Sequence, residues 1–535
     1  MTAIPRTGAS IIGTQLARAG ATHAFGIPGG EVLALMQGMD DAGIRFVLVR
    51  HENAGGFFAE GLWHVTGALP VLIATLGPGM ANAVNVVANA MQDRVPLIFL
   101  TGCVDADIAE HYTHQVFDHQ AVLRPLVKGT FRLEKGRIGK TMAEALHLAQ
   151  QGQKGPVHID VPIGVAEGWS EELETPASAL CTEFPNEEIM GMARQHLATA
   201  ERPIAIAGVD AVNDGAGPAI TAFCQAHGLP LVTTYKGKGL LDETDPLCLG
   251  GAGLSPLADG VLLPLIAKAD VILLIGYDPI EMRIGWRAPW TNQQAVIEIT
   301  PQLRNHGMHR VDHVLIGDTA SLLKELSHDP LARWPKREFA TARESLGHAF
   351  QGPERWGPHA VFRTLRQELP AETIATADSG AHRILFSQMW TSTRPRQILQ
   401  SSGLCTMACA MPLAGGAKLG RPAAPVLCVV GDAGLEMGAG DLATLRDMKL
   451  PVIICVLVDQ SLALIEMKQR ASQRPGLGVT TGQTDFSGLA HAFGGAGESV
   501  TNQAELAAAV RTALTRDTFT VIAAVIGERA YDGAF

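Results

Sequence analysis

Short runs of aliphatic and β-branched residues alternate with longer helical patterns along the whole of this chain. In the first third, residues 45–50 read as a strand, 53–66 as a helix of small residues, 71–75 as a strand, 80–92 as a helix and 95–100 as another strand. Such alternation builds βαβ units and parallel sheets, with right-handed crossovers. A loop-like stretch at 164–186 interrupts it. Strands at 203–208, 229–234 and 271–276 then mark a second unit. Residues 328–357, richer in charge, Trp and Pro, read as a second linker that is partly helical. Strands at 372–377, 426–430, 451–458 and 521–526 mark a third unit. The expected fold class is α/β, with three doubly wound parallel-sheet domains at 1–165, 186–330 and 357–535. At roughly 150 residues per domain, a chain of 535 residues accommodates them. No short sequence repeat links the three.

Composition removes several function classes. Apolar residues make up 47% and charged residues 18%, which excludes disordered and collagen-like chains. The formal charge of −11 argues against a nucleic-acid partner, whose phosphate backbone favours a basic protein. No apolar run approaches the roughly 20 residues that span a bilayer, so no membrane association is expected. The first residues show no basic segment followed by a long apolar run, so no secretory signal is read. Eight scattered cysteines, among them Cys428 and Cys455 in apolar runs, suit reduced thiols in a cytoplasmic protein. Cys405 and Cys409 lack the further ligands of a zinc site.

Chemistry enters where strands end. The run Val426-Leu427-Cys428-Val429-Val430-Gly431-Asp432-Ala433-Gly434 reads as a buried strand closing in a glycine-bounded turn that presents a carboxylate. A helix over 440–449 and a second buried strand ending at Asp459 follow. Both aspartates then sit at carboxyl ends of parallel strands, where open α/β sheets bind ligands. Glycines there let backbone N–H groups approach an anion, and the following helix adds its positive end. Two carboxylates could hold a hard cation such as Mg²⁺ against phosphate oxygens. On this fragment alone they could equally be turn and cap residues. Glu52, after Arg50-His51, enters an apolar Gly/Ala-rich helix, where desolvation prepares a carboxyl for proton transfer; an ordinary helix N-terminal acid is the alternative. Gly77-Pro78-Gly79 reads as a turn that admits a close neighbour.

In their order these fragments resemble the thiamine-diphosphate enzymes of the acetohydroxyacid (acetolactate) synthase and pyruvate decarboxylase superfamily. Phe25-Gly26-Ile27-Pro28-Gly29-Gly30 resembles the early FGxPGG turn, and Val49-Arg50-His51-Glu52 the VRHE segment. Residues 75–82 (TLGPGMAN) are similar to TSGPGATN, 378–382 (DSGAH) to DVGQH, and 402–408 (SGLCTMA) to GGLGTMG. Residues 115–125 (QVFDHQAVLRP) match the segment that carries a pocket Gln. The stretch from Asp432 to Asp459 resembles the GDG…N cofactor fingerprint.

The resemblance implies a pyrimidine-binding, a central and a diphosphate-binding domain, and a catalytic set of Glu52, Gln115, His114 and Gly29. Glu52 would hydrogen-bond the aminopyrimidine, and Met407 would support the bent cofactor. Thr75, Asn82, Gly380, Ala381, His382, Gly403, Cys405, Met407, Gly431, Asp432, Ala433, Gly434, Asp459, Ser461, Leu462, Ala463 and Leu464 would contact thiamine diphosphate. Asp432, Asp459 and Ser461 would bind Mg²⁺. The implied activity is decarboxylation of a small 2-oxo acid with carboligation of the resulting carbanion. A simple decarboxylase, or a related acyltransferase or C–C hydrolase acting on an anionic substrate, is the alternative. The implied assembly is a homodimer or homotetramer with the active site between subunits.

The chain also departs from the pattern. Ala433 replaces Gly, and the Cβ predicts a negative φ there. Asp459 replaces Asn and adds a charge for the metal to offset. Ala381 replaces Gln. Lys468 stands where the synthases carry an acceptor-selecting Trp, so Lys468 and Gln115 are the candidate substrate residues. Of His111, His114 and His119 around Gln115, His114 is the candidate pocket residue and the other two read as surface histidines. In the central unit Gly276-Tyr277-Asp278 is followed by Pro279-Ile280-Glu281 rather than a flavin-type FDDR, and FAD is not favoured.

Overall fold

The computed structural model describes residues 6–172, 186–303, 307–327, Trp334 and 338–535. It holds three six-stranded sheets. All strand pairs within them are parallel. The first is ordered Arg45–Leu48, His23–Gly26, Val71–Ala74, Ile98–Cys103, Val157–Pro162, Gly129–Arg132. The central one is ordered Cys248–Ala252, Leu231–Thr234, Pro203–Ala207, Val271–Ile275, Ala295–Thr300, His313–Ile316. The third is ordered Ile398–Gln400, Ile374–Ala377, Val426–Gly431, Ile453–Val458, Thr520–Val525, Ala496–Val500.

Counted along the chain, the first and third sheets share the order 2-1-3-4-6-5, and the central sheet has 3-2-1-4-5-6. The outer units therefore repeat one topology that the sequence does not display as a repeat. In each sheet the order reverses beside the first strand, which opens a crevice at the carboxyl ends. The reversal places residues after Gly26 and Ala74 together in the first unit. It places residues after Ala377 and Gly431 together in the third.

Several boundaries differ from the sequence reading. The helix expected over 80–92 is two, Pro78–Asn82 and Val84–Gln92, meeting at Ala83. The strand expected at 95–100 is Ile98–Cys103, because Pro96 has no N–H to give a ladder. The helix expected at 440–449 is Leu442–Asp447, preceded by Asp432–Gly438, whose glycines hid it. In the expected first linker, Ile163–Glu167 is helical and Trp169–Ser170 pairs with Arg6–Thr7, while 173–185 lie outside the described residues. The second holds the helix Glu338–Ala349, and 328–333 and 335–337 lie outside the described residues. Seven described cysteines are unpaired. No described helix is long and apolar enough to cross a membrane.

The first and third units share one core. Helix Glu52–Thr66 lies against helix Ala410–Gly420 with backbones in contact. A Cβ on Gly61 would stand 2.2 Å from the Leu413 carbonyl oxygen, and one on Gly416 would stand 2.0 Å from that of Phe58. Glycine is thus required on both helices, which explains the small residues in the Glu52 helix. Phe57, Phe58, Leu62 and Trp63 pack into the same cluster as Leu413, Ala414 and Ala417. Burial of each Phe or Leu there stabilises by roughly 1.5–3 kcal/mol.

Candidate active site

The reversal point of the third sheet is a cleft open to solvent. Gly380, Ala381, His382, Cys405, Met407, Gly431, Asp432, Ala433, Gly434, Asp459, Ser461, Leu462, Ala463 and Leu464 all line it. Three helices begin on it, at Ala381, Asp432 and Ala463, and none has a side-chain N-cap. Apart from Ala433 N–H, which the Asp432 carboxylate takes, and Ile465 N–H, which the Leu462 carbonyl takes, their first N–H groups are left for a ligand. Asp432 accepts from Ala433 N–H and Gln460 N–H, both at 2.7 Å. Asp459 accepts from Ser461 N–H at 3.3 Å. Burial raises both carboxyls, and the adjoining Asp432 charge helps push Asp459 up to about 7. A cation would relieve that repulsion. Ala433 is the second residue of its helix with a negative φ, as expected, so the Gly-to-Ala departure carries no strain.

Among the described residues nine non-glycine positions have positive φ, and four of them border the site segments: Gln115, Cys405, Ala408 and Gln460. Strained backbone of this kind concentrates where function needs it. The Ala408 bend is held by Asp378, fully buried, which accepts from Ala408 and Cys409 N–H at 2.9 Å.

The other predicted residues gather at the reversal point of the first sheet. Glu52 is 4% exposed and opens its helix. Its Oε2 accepts from Asn82 Nδ2 at 3.0 Å. A Cβ on Gly79 would stand 3.2 Å from its Oε1. Thr75 donates to Glu31, and Gly29 lies so close that a Cβ would strike the Thr75 hydroxyl at 2.3 Å. The Gly77 turn has φ +65°, and Gln115 packs over it.

Three expectations land elsewhere. Gly403 does not line the cleft; it abuts Gln92 and donates to Asp93 at 2.8 Å. Lys468 is exposed on helix Ala463–Ala471. His114 is exposed, and the histidine buried beside Gln115 is His119. His119 Nε2 accepts from Gly77 N–H at 3.3 Å, so Nδ1 carries the proton and donates to Asp160 at 2.9 Å. Asp160 also takes the Thr101 hydroxyl at 2.9 Å, and Thr101 in turn accepts from His158 Nε2 at 2.8 Å. The ligand atoms of His119, His158 and Asp160 lie within 4.8 Å of one another, but these hydrogen bonds already employ them. Sequence reasoning missed this cluster. Its signal was a polar pair, His158 and Asp160, on one face of an otherwise apolar strand.

Burial holds His158 down to about 4. Its neutral form therefore stabilises the fold, fully above pH 6.5, with roughly 2 kcal/mol lost by pH 5. His158→Gln should lose less stability than the parent between pH 7 and pH 5. Equal losses in equilibrium melts at the two pH values would refute this.

Comparisons with known proteins identify the family. Residues 6–122 match the family described as thiamine pyrophosphate enzyme, N-terminal TPP binding domain. Residues 191–326 match its central domain, and 378–524 its C-terminal TPP binding domain. The chain is 30% identical over 522 residues to the acetolactate synthase isozyme 2 large subunit of Escherichia coli (strain K12), covering 95% of this chain and 94% of that protein. It is 28% identical to the probable acetolactate synthase large subunit of Methanocaldococcus jannaschii (91% and 86% covered). It is 27% identical to the acetolactate synthase of Bacillus subtilis (strain 168) (96% and 92% covered). The chain belongs to the thiamine pyrophosphate enzymes and is an acetolactate synthase-like member of them.

Proposed function

We propose that the protein uses thiamine diphosphate and Mg²⁺ to decarboxylate a small 2-oxo acid and join the remaining fragment to an acceptor carbonyl. The observation that carries this is the cleft at Asp432. Three uncapped helix starts and two buried carboxylates meet there, a donor set suited to a diphosphate and a hard cation. Asp432, Asp459 and the Ser461 carbonyl would hold the metal. Gly380 to His382 and Leu462 to Leu464 would hold the phosphates. Met407 would lie beneath the bend of the cofactor. Glu52, fixed by Asn82, would hold a proton against the pyrimidine. The bound cofactor supplies the electron sink for loss of CO₂. Gln115 would orient the substrate from the first unit. Roles for His114 and Lys468 are proposed for the assembled enzyme only.

Among the described residues the cleft is lined by residues from 379 to 531 and by none of the first unit. We therefore propose that two copies complete each site, Glu52 of one facing Asp432 of the other. Exposed apolar side chains flank both halves along the chain: Ile108, Tyr112, Phe117 and Val122 around Gln115, and Met437, Ile465 and Leu477 after Asp432 and Ser461. Mixing inactive Glu52→Gln and Asp432→Asn chains under subunit exchange should restore about a quarter of the parent activity, since half the dimers are mixed and each has one intact site. No recovery despite exchange would place both residues in one chain's site.

The deciding experiment is CO₂ release from a panel of 2-oxo acids, with products identified by mass spectrometry. We expect turnover that needs both thiamine diphosphate and Mg²⁺ and disappears with a chelator. Absence of turnover on every acid would sink the proposal. An aldehyde without a coupled product would select simple decarboxylation instead.

A further inference from the structure

In the central unit the crevice between Pro203–Ala207 and Val271–Ile275 sits at the reversal point, where such a sheet takes a ligand. Here the chain's own polar side chains bridge it to the first unit. Arg94 meets Asp278 at 2.6 Å. Gln153 Nε2 donates to Asp210 at 2.9 Å and to Asp278 at 3.0 Å. Beyond the neighbouring strand, Leu231–Thr234, Lys236 reaches further into the first unit. Its Nζ lies 3.0 Å from Asp93 Oδ2 and 3.9 Å from Glu60 Oε1. The three side chains are 7%, 0% and 2% exposed.

Asp93 has a second task. Its Oδ1 accepts from Gly403 N–H at 2.8 Å and from Ser402 N–H at 3.2 Å. Asn85, Asn89 and Asp93 recur at four-residue spacing along one face of helix Val84–Gln92 and its C-cap. Asn89 accepts from the Ser401 hydroxyl at 2.6 Å, and Asn85 from that of Thr406 at 3.2 Å. This ladder grips residues 401–406 of the third unit. That segment carries Cys405 and leads directly into Met407, both of which line the cleft. Burial pushes the Asp93 carboxyl up, and Lys236 is the largest influence against that.

We propose that Lys236 is a positioning residue for the cofactor: it neutralises Asp93, and Asp93 holds the Ser402–Gly403 backbone so that Cys405 and Met407 face the cleft. The ligand-binding end of the central sheet thus serves as a clamp on the site of another unit. This rests on the reading of the cleft as the thiamine diphosphate site. Without the ammonium, the buried Asp93 and Glu60 carboxylates lose their shared cation, and only the buried His64 ring, 3.1 Å from Glu60, stands beside that acid, an arrangement that cannot persist unchanged.

The test uses Lys236→Met alone and combined with Asp93→Asn, whose amide oxygen still accepts from Gly403. Amide hydrogen exchange over residues 398–409 is read without cofactor, and thiamine diphosphate with Mg²⁺ is titrated by calorimetry. Lys236→Met should speed exchange at Ser402 and Gly403 and raise the Kd by about tenfold. In turnover the loss should appear in cofactor half-saturation more than in kcat. The double variant should return the Kd to within about threefold of the parent. Parent-like exchange and Kd in Lys236→Met would overturn the proposal. So would a double variant that binds weakly. Should Lys236→Met not fold, a double variant that folds and binds tightly supports the proposal, and one that also fails to fold overturns it. A parent that binds no thiamine diphosphate defeats the reading of the cleft, while the exchange arm still judges the clamp.

Discussion

Glu52→Gln should lower kcat for CO₂ release by about 10²–10⁴-fold, the range for losing a positioned proton-transfer group. The amide keeps the shape of the side chain and can still accept from Asn82 Nδ2, the bond seen at 3.0 Å. Cofactor affinity measured by calorimetry should therefore stay within about threefold. Melting should fall only slightly, because an acid in the first turn of a helix contributes about 0.3–1 kcal/mol. The separation of large kinetic loss from small binding loss marks a proton-handling group. A variant keeping more than about a tenth of parent kcat would remove Glu52 from the chemistry.

Gly416→Val should be the most damaging substitution for the fold. The added Cβ would stand 2.0 Å from the Phe58 carbonyl oxygen and 2.8 Å from the Leu62 nitrogen. These are backbone atoms of a neighbouring helix, so no rotamer change relieves the clash. The two helices must separate, opening the core that the outer units share. Overpacking against side chains costs about 1–3 kcal/mol, and a backbone obstacle should reach or exceed the upper figure. The melting temperature should drop by about 10 °C or more, or the chain should be insoluble. Gly191→Ala is the control. Among the described residues no neighbour meets its Cβ, and in the helix Glu187–Thr199 it should raise stability by up to about 1 kcal/mol. Equal melting temperatures for Gly416→Val and the parent would show that the helix contact is not under constraint.

The differences between sequence and structure have local causes. Pro96 delays a strand by removing a donor, and glycines at 434 and 438 disguise a helix. His114 and His119 could not be separated by inspection, because burial depends on Asp160, which lies 41 residues beyond His119. Lys236 gave no signal at all: a lysine in a glycine-rich turn reads as solvent-exposed until its partners, Asp93 and Glu60, are known.

By itself the amino-acid order determined the three α/β units, the strand ends that bear Asp432 and Asp459, and the acid at position 52. Those features are local, because hydrophobic period, turn glycines and terminal carboxylates are set by residues a few places apart. Only the tertiary structure decided that Gly403 serves a clamp rather than the cleft wall. It also decided that the buried histidine beside Gln115 is His119, and that the central unit lends a cation to a neighbour's loop. Each of these depends on contacts between residues that are distant in the chain, and no local periodicity encodes which buried charge meets which partner.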